Sequence, residues 1–242
     1  MKSKPLILAI ETSGRTGSVA IALGEEMLSE TNFSGPMRHS AEIFPAINEL
    51  LIRFNKKPKE IEHIYISVGP GSFTGLRIAV ALAKSVNLAN AAKIVAVDTL
   101  DVLAANVTDY IKEEKVEDLN TIAAILDAKR GQFFIAAYEY QQGHSKKTMQ
   151  DCLMTAEEFI GNYGGKSRPV WLLGEGLVYY KDKFKAEGIK FLDEKYWNPR
   201  AENVYKLGWE KALAGQFADP LTLQPTYLRK PDIKEKSGLS FR

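Results

Sequence analysis

The sequence predicts an α/β fold of two lobes, with mixed sheets flanked by helices, on three observations. Two segments, LILAIETSGRTGSVAIAL and IAAILDAKRGQFFIAAY, repeat one design: an apolar strand ending in an acid (Glu11, Asp127), a short loop closed by glycine (Gly17, Gly131) and a second apolar strand. Between them, IYISVGPGSFTGLRIAVALAKSV reads as strand, glycine loop and helix. A hydrophobic content of 45% over 242 residues fills the core of one large domain or two small ones.

Taken in order, residues 6–12 and 18–23 are β-compatible runs joined by SGRTG, a hairpin at the start of the fold. In residues 38–54, Ile43, Ile47, Leu50, Leu51 and Phe54 recur at three- and four-residue steps, which predicts an amphipathic helix with Pro45 near its first turn or bending it. A strand over 64–68, a helix over 76–90 and the short buried strand KIVAV follow. DTLDVLAANVTDY reads as helical and runs into the charged segment 112–118, and the boundary between lobes is placed near Ala104, giving lobes 1–104 and 105–242. The second lobe opens with the hairpin of residues 122–127 and 132–138 around AKRG. A helix over 155–161 with Thr155 as N-cap ahead of Glu157 and Glu158, the strand VWLLGEG and a helix over 201–215 come next. The closing LQPTYLRKPDIKEKSG is polar and proline-bearing and is expected to fray.

Composition limits the function classes. The longest apolar runs fall short of the roughly 18 residues that span a bilayer, and MKSKPLILAIETS enters a strand pattern without a cleavage region, so a cytoplasmic protein is expected. One cysteine, Cys152, leaves no internal disulfide and no cysteine-based zinc site. A net charge of +2 is unlike that of a strongly basic nucleic-acid-binding domain.

GPGSFTG raises the question of phosphate binding. It lacks the Gly-Lys-Ser/Thr ending of a Walker loop, since Gly75 is followed by Leu76 and Arg77, and Gly69, Gly71 and Gly75 do not match the dinucleotide spacing. What remains is a glycine loop with the hydroxyls of Ser72 and Thr74 at the start of a helix whose free N–H groups favour an anion; the competing reading is a tight turn capped by Ser72 or Thr74. Paired hairpins of this kind grip nucleotide phosphates in actin-like and sugar-kinase-like ATPases. The candidate nucleotide or anion residues are therefore Thr12, Ser13, Gly14, Gly69, Gly71, Ser72, Thr74, Gly75 and Arg77.

The combination of LAIETSGRTGSVAI, RHSAEIFPAI, ISVGPGSFTGLRIAVALAKS, VAVDTL and AAILDAKRGQFFIAAY, in this order and at these spacings, resembles the TsaB (YeaZ) family; the tail adds PTYLR. The resemblance implies an actin-like, ribonuclease H-like (ASKHA) fold and a role in making threonylcarbamoyladenosine beside the anticodon of tRNA. It implies as partners TsaD, which carries the transfer chemistry, the ATPase TsaE, and tRNA through the complex.

The related TsaD pattern has two histidines one helical turn apart that bind a metal. In VDTLDVL the corresponding positions are Thr99 and Leu103, and the three histidines, His39, His63 and His144, are scattered. No metal site and no catalytic residue are therefore expected. Glu11, Asp98, Asp101 and Asp127 could serve phosphotransfer, but nothing marks one as the base, and Asp98 reads as a helix N-cap. Cys152 lacks a histidine nearby in sequence, and no serine lies in a G-x-S-x-G elbow. The leading expectation is a noncatalytic scaffold and activator of TsaD, with no cofactor of its own and ATP or ADP at an interface of the assembled complex. An independent ATP-dependent kinase is the alternative, and a protease lacks both metal pair and nucleophile. The expected partner surface is the helix pair, through Ile43, Ile47, Leu50, Leu51, Ala79 and Ala83, with a homodimer when the chain is alone.

Overall fold

The computed structural model describes residues 4–114, 119–141, 144–165 and 168–229. The elements are β1 (Leu6–Glu11), β2 (Ser18–Leu23), β3 (Glu26–Asn32), α1 (His39–Arg53), β4 (Ile61–Ser67), α2 (Phe73–Asn90), β5 (Lys93–Val97), α3 (Thr99–Ala104) and α4 (Asn106–Glu114). They continue with β6 (Thr121–Asp127), β7 (Gln132–Gln141), β8 (His144–Thr155), α5 (Ala156–Tyr163), β9 (Val170–Leu173), α6 (Leu177–Tyr180), β10 (Ile189–Phe191) and α7 (Ala201–Leu213).

These strands form two five-stranded mixed sheets, ordered β3-β2-β1-β4-β5 and β8-β7-β6-β9-β10. In each, a three-stranded antiparallel meander comes first and two parallel strands are added to its first strand. Ile10 thus pairs with Val19 on one side and Ile66 on the other, as Ala124 pairs with Ala136 and Leu173. The duplication legible in the two hairpins extends to the whole sheet. This is the actin-like, ribonuclease H-like architecture expected from the resemblance.

Period-two alternation divides the first sheet between two cores. Leu6, Leu8 and Ile10 face the core that holds Ile43, Ile47 and Leu50 of α1 and Ala79 and Ala83 of α2, while Ile7 and Ala9 face the one that holds Val204 and Tyr205 of α7. The last helices of the two halves cross over: α3 packs on β6 of the second sheet and α7 on the first sheet. Gly208 lets α7 approach, since a Cβ there would stand 2.6 Å from the ring of Tyr65.

Local signals held at most boundaries. Asp98 caps α3 by accepting from the N–H groups of Leu100 and Asp101, and Thr155 forms a capping box with Glu158. Helix α2 begins at Phe73, earlier than its apolar periodicity, because Ser72 caps it. Pro45 lies in the second turn of α1 and not the first. The strand expected over VWLLGEG stops at Leu173, where Gly174 turns the chain with φ +128°. Of the charged segment 112–118, residues 115–118 lie outside the described residues, as do residues 230–242 of the closing segment expected to fray. Residues 223–229 are tied down: Leu223 is buried in the first core and the N–H of Thr226 donates to the carbonyl of Val68. Among the described residues no helix is long and apolar enough to cross a membrane.

Candidate functional site

Four turns meet between the sheets. The first, residues 12–17, leaves the end of β1, where Glu11 is fully buried and accepts from the N–H and hydroxyl of Ser13 and from the hydroxyl of Ser67. Burial raises the pKa of Glu11, against the lowering effect of these donors.

The second is GPGSFTG. Gly69 has φ +123° and lies against the chain at Thr226, where a Cβ would come within 2.5 Å of the carbonyl oxygen. Gly75 lies against the first turn: a Cβ there would stand 1.8 Å from the carbonyl oxygen of Thr12. Two hydrogen bonds join the turns, from the hydroxyl of Thr12 to the carbonyl of Gly75 at 2.8 Å and from the N–H of Ser72 to the carbonyl of Ser13 at 2.7 Å. The N–H of Gly75 in turn donates to the hydroxyl of Ser72. Two of the backbone donors at this helix start, the N–H groups of Ser72 and Gly75, are therefore engaged within the protein. Arg77 stacks over the ring of Phe73 at 3.7 Å and donates to the hydroxyl of Tyr227, and both it and Thr74 are exposed.

The third turn, between β6 and β7, has Lys129, Arg130 and Gly131 in succession at positive φ. Asp127 accepts from the N–H and ammonium of Lys129, and Arg229 donates to the carbonyls of Ala128 and Lys129 and to Gln132. Residues 223–229 thus strap the GPGSFTG loop of one lobe to the hairpin of the other. The fourth turn follows β9. Gly176 donates its N–H to Ile125, and a Cβ at Gly174 would collide with the carbonyl of Ile125, so the turn lies flat on β6. From it Glu175 reaches the first lobe and accepts the N–H of Arg15 at 2.6 Å.

The remaining candidate acids are engaged too. Lys147 of β8 lies 2.8 Å from Asp101, 2.6 Å from Asp151 and 3.6 Å from Asp98, and the hydroxyl of Tyr138 donates to Asp101. Burial and the neighbouring Asp151 raise the pKa of Asp98. Burial would lower that of Lys147, but its bonds to Asp101 and Asp151 hold it raised. His39 is buried at the start of α1 with Nε2 3.0 Å from the carbonyl oxygen of Gly14, and burial lowers its pKa. Thr99 and Leu103 are fully buried. Among the described residues no group of three or more histidine, cysteine or carboxylate side chains is placed to hold a metal ion.

The structure brings Thr12, Ser13, Gly14, Gly69, Gly71, Ser72 and Gly75 together around the first turn, with a Cβ at Gly71 falling 2.6 Å from the carbonyl oxygen of Ser13. It does not place the six side chains expected at a partner surface on the outside. Ile43, Ile47, Leu50, Leu51, Ala79 and Ala83 are all buried, because the apolar stripe of each helix is needed to cover its own sheet. The outward faces carry other apolar side chains: Phe44 (64% exposed) and Ile52 (69%) on α1, and Leu88 (89%) on α2. Sequence reasoning missed Glu175, Tyr227 and Arg229 as site residues. The glycines flanking Glu175 were the available signal.

The family model described as TsaD, tRNA N6-adenosine threonylcarbamoyltransferase, matches residues 35–210. The Bacillus subtilis tRNA threonylcarbamoyladenosine biosynthesis protein TsaB is 31% identical over 234 residues, covering 95% of this chain and 96% of that protein. Its Escherichia coli namesake is 24% identical, covering 92% and 94%. The crystal structure of a Pseudomonas aeruginosa protein, described as similar to peptidase YeaZ, superposes with a TM-score of 0.78 at 23% identity, covering 93% of this chain and 100% of that one.

Proposed function

The chain belongs to the TsaB family, and from that premise we propose that it is a noncatalytic subunit in threonylcarbamoyladenosine biosynthesis, acting by pairing with TsaD. The observation that carries the noncatalytic reading is at Thr99 and Leu103, where the resemblance would put the metal-binding histidines of TsaD. One is a hydroxyl and the other a hydrocarbon, and both are sealed in the core, so this chain has no ligand to offer there. The acids that could replace such chemistry are engaged with partners inside the protein.

Pairing is assigned to the outward face of the packed helices α1 and α2, where Phe44, Ile52 and Leu88 give up apolar surface to water. A relative of the same fold offers a similar helix pair, and the two pairs bury each other as a four-helix contact; without it, two copies of this chain do the same. In this reading tRNA and the ATPase TsaE meet the chain through the complex in the cytoplasm, and ATP or ADP binds at a shared interface to which the exposed Arg77 contributes.

The test is a transfer assay with each protein alone and both together, alongside metal analysis of this chain. Transfer by the mixture alone, with no stoichiometric metal here, is expected. Transfer by this chain alone, or tight zinc or iron at one per chain, overturns the reading. Turnover of ATP by the isolated chain would favour an actin-like kinase instead.

A further inference from the structure

The peptide group between Gly14 and Arg15 is held at both ends. Its carbonyl, on Gly14, accepts from His39, the first residue of α1, with Nε2 at 3.0 Å. Facing a carbonyl, this nitrogen carries the ring proton. Its N–H, on Arg15, donates to Glu175 of the second lobe at 2.6 Å. The chain entering α1 is tied to the same turn again, since the N–H of Met37 donates to the carbonyl of Arg15 at 2.8 Å. Helix α2 starts against the turn as well, through the Ser72–Ser13 and Thr12–Gly75 bonds. Gly14 leaves no slack: a Cβ there would stand 2.9 Å from Pro199 and 3.2 Å from Oε2 of Glu175. The starts of both helices assigned to pairing, and the second lobe, are therefore fastened to the same short turn.

Resting on the pairing assigned to the outward face of α1 and α2, we propose that turn 12–17 couples that face to the joint between the lobes, so that partner binding and the Arg15–Glu175 contact favour each other. The two states of the joint differ in whether Glu175 holds the Gly14–Arg15 peptide. With Glu175 engaged, the peptide plane is fixed, and because the group is planar the carbonyl that faces His39 is fixed with it. A bonded N–H also polarises that carbonyl and strengthens it as an acceptor. The start of α1 is then set before a partner arrives. With Glu175 released, the turn and the start of α1 are ordered only as the partner docks, and that ordering is subtracted from the affinity. Linkage makes the effect reciprocal: a partner that favours the set position of α1 favours the closed joint by the same factor. His39, which is buried, and Glu175, on the turn after β9, act as positioning residues and not as parts of the pairing surface.

The experiment titrates the full-length chain with TsaD, the partner proposed for it, by calorimetry, and follows hydrogen exchange of the Arg15 amide in the free and the saturated chain. Exchange at Arg15 is expected to slow at least about fivefold in the complex. Glu175→Ala is expected to weaken pairing at least about fivefold, as is His39→Leu, and the double variant should lose less than the product of the two effects. Phe159→Leu, in the core of the second lobe, is the control: it should lower the melting temperature and leave the dissociation constant unchanged, which separates coupling from loss of stability. A wild-type complex whose Arg15 amide exchanges as in the free chain overturns the coupling, whether or not the variants fold. A folded Glu175→Ala chain that pairs within about twofold of the wild type also overturns it. Either result with a complex present leaves the pairing reading standing, whereas the absence of any complex overturns that reading and the coupling with it.

Discussion

Replacing Gly75 by alanine isolates the contact on which the GPGSFTG loop is built. The added Cβ would stand 1.8 Å from the carbonyl oxygen of Thr12 and 2.9 Å from its carbonyl carbon, and both are backbone atoms that cannot turn aside as a side chain would. The loop and the first hairpin must therefore separate. Overpacking of this kind costs about 1 to 3 kcal/mol. Separation also weakens the Thr12–Gly75 and Ser72–Ser13 hydrogen bonds, at about 1 kcal/mol each. The expected loss is thus about 3 to 5 kcal/mol, a large part of the roughly 5 to 15 kcal/mol that holds a typical domain together. Gly161 supplies the control. It lies in α5 with nothing within 4 Å of an added Cβ, so Gly161→Ala should be neutral or should stabilise by up to about 1 kcal/mol through helix propensity. Urea denaturation of both variants measures the difference. A Gly75→Ala protein within about 1 kcal/mol of wild type refutes the argument that this glycine is required by close approach.

Stability should also depend on pH through Glu175. Its pKa is raised from 4.5 to about 7, so the folded chain holds the proton more tightly than the unfolded chain, and the stabilisation is full below 4.5 and lost as pH rises through 7. That interval corresponds to at most about 3.5 kcal/mol, at about 1.4 kcal/mol per pH step, and Glu175→Gln should flatten this part of the profile. A profile unchanged by the substitution argues against the buried charge. Arg229→Ala should free the strap from the second hairpin, speeding proteolysis within residues 223–229 while the melting temperature changes little; unchanged cleavage would mean that the strap is held elsewhere. Leu50→Asp places a charge in the core of the first lobe and should unfold the chain, whereas Ile52→Asp, two residues on and exposed, should leave the fold intact and abolish pairing. Circular dichroism together with sedimentation separates the two, and pairing retained by folded Ile52→Asp counts against the helix-face assignment.

Much of this was legible in the sequence where a local rule decided the outcome. The hairpins around Gly17 and Gly131, the strand KIVAV and the Asp98 and Thr155 caps follow from alternation, composition and capping alone. Strands β3 and β8 were not seen, because EMLSETN and HSKKTMQDCLMT are edge strands whose polar residues mask any apolar run. The periodicity of α1 identified its apolar stripe but could not say whether that stripe meets the sheet or a partner. The stripe covers the chain's own sheet, and a partner is left Phe44 and Ile52. The contacts of Glu175 and Arg229 were illegible for a different reason, although GEG and PTYLR marked the two segments. Their partners, Arg15 and Ala128, are 160 and 101 residues away, a separation that no local pattern encodes.

The central claim is that the chain works by pairing, and the most direct measurement mixes it with TsaD, the partner proposed for it, and follows complex size by light scattering together with tRNA modification. The account predicts a complex with one copy of each protein, modification that needs both, and loss of both signals with Ile52→Asp. A mixture that stays as separate proteins, or modification by TsaD that is indifferent to this chain, would contradict it.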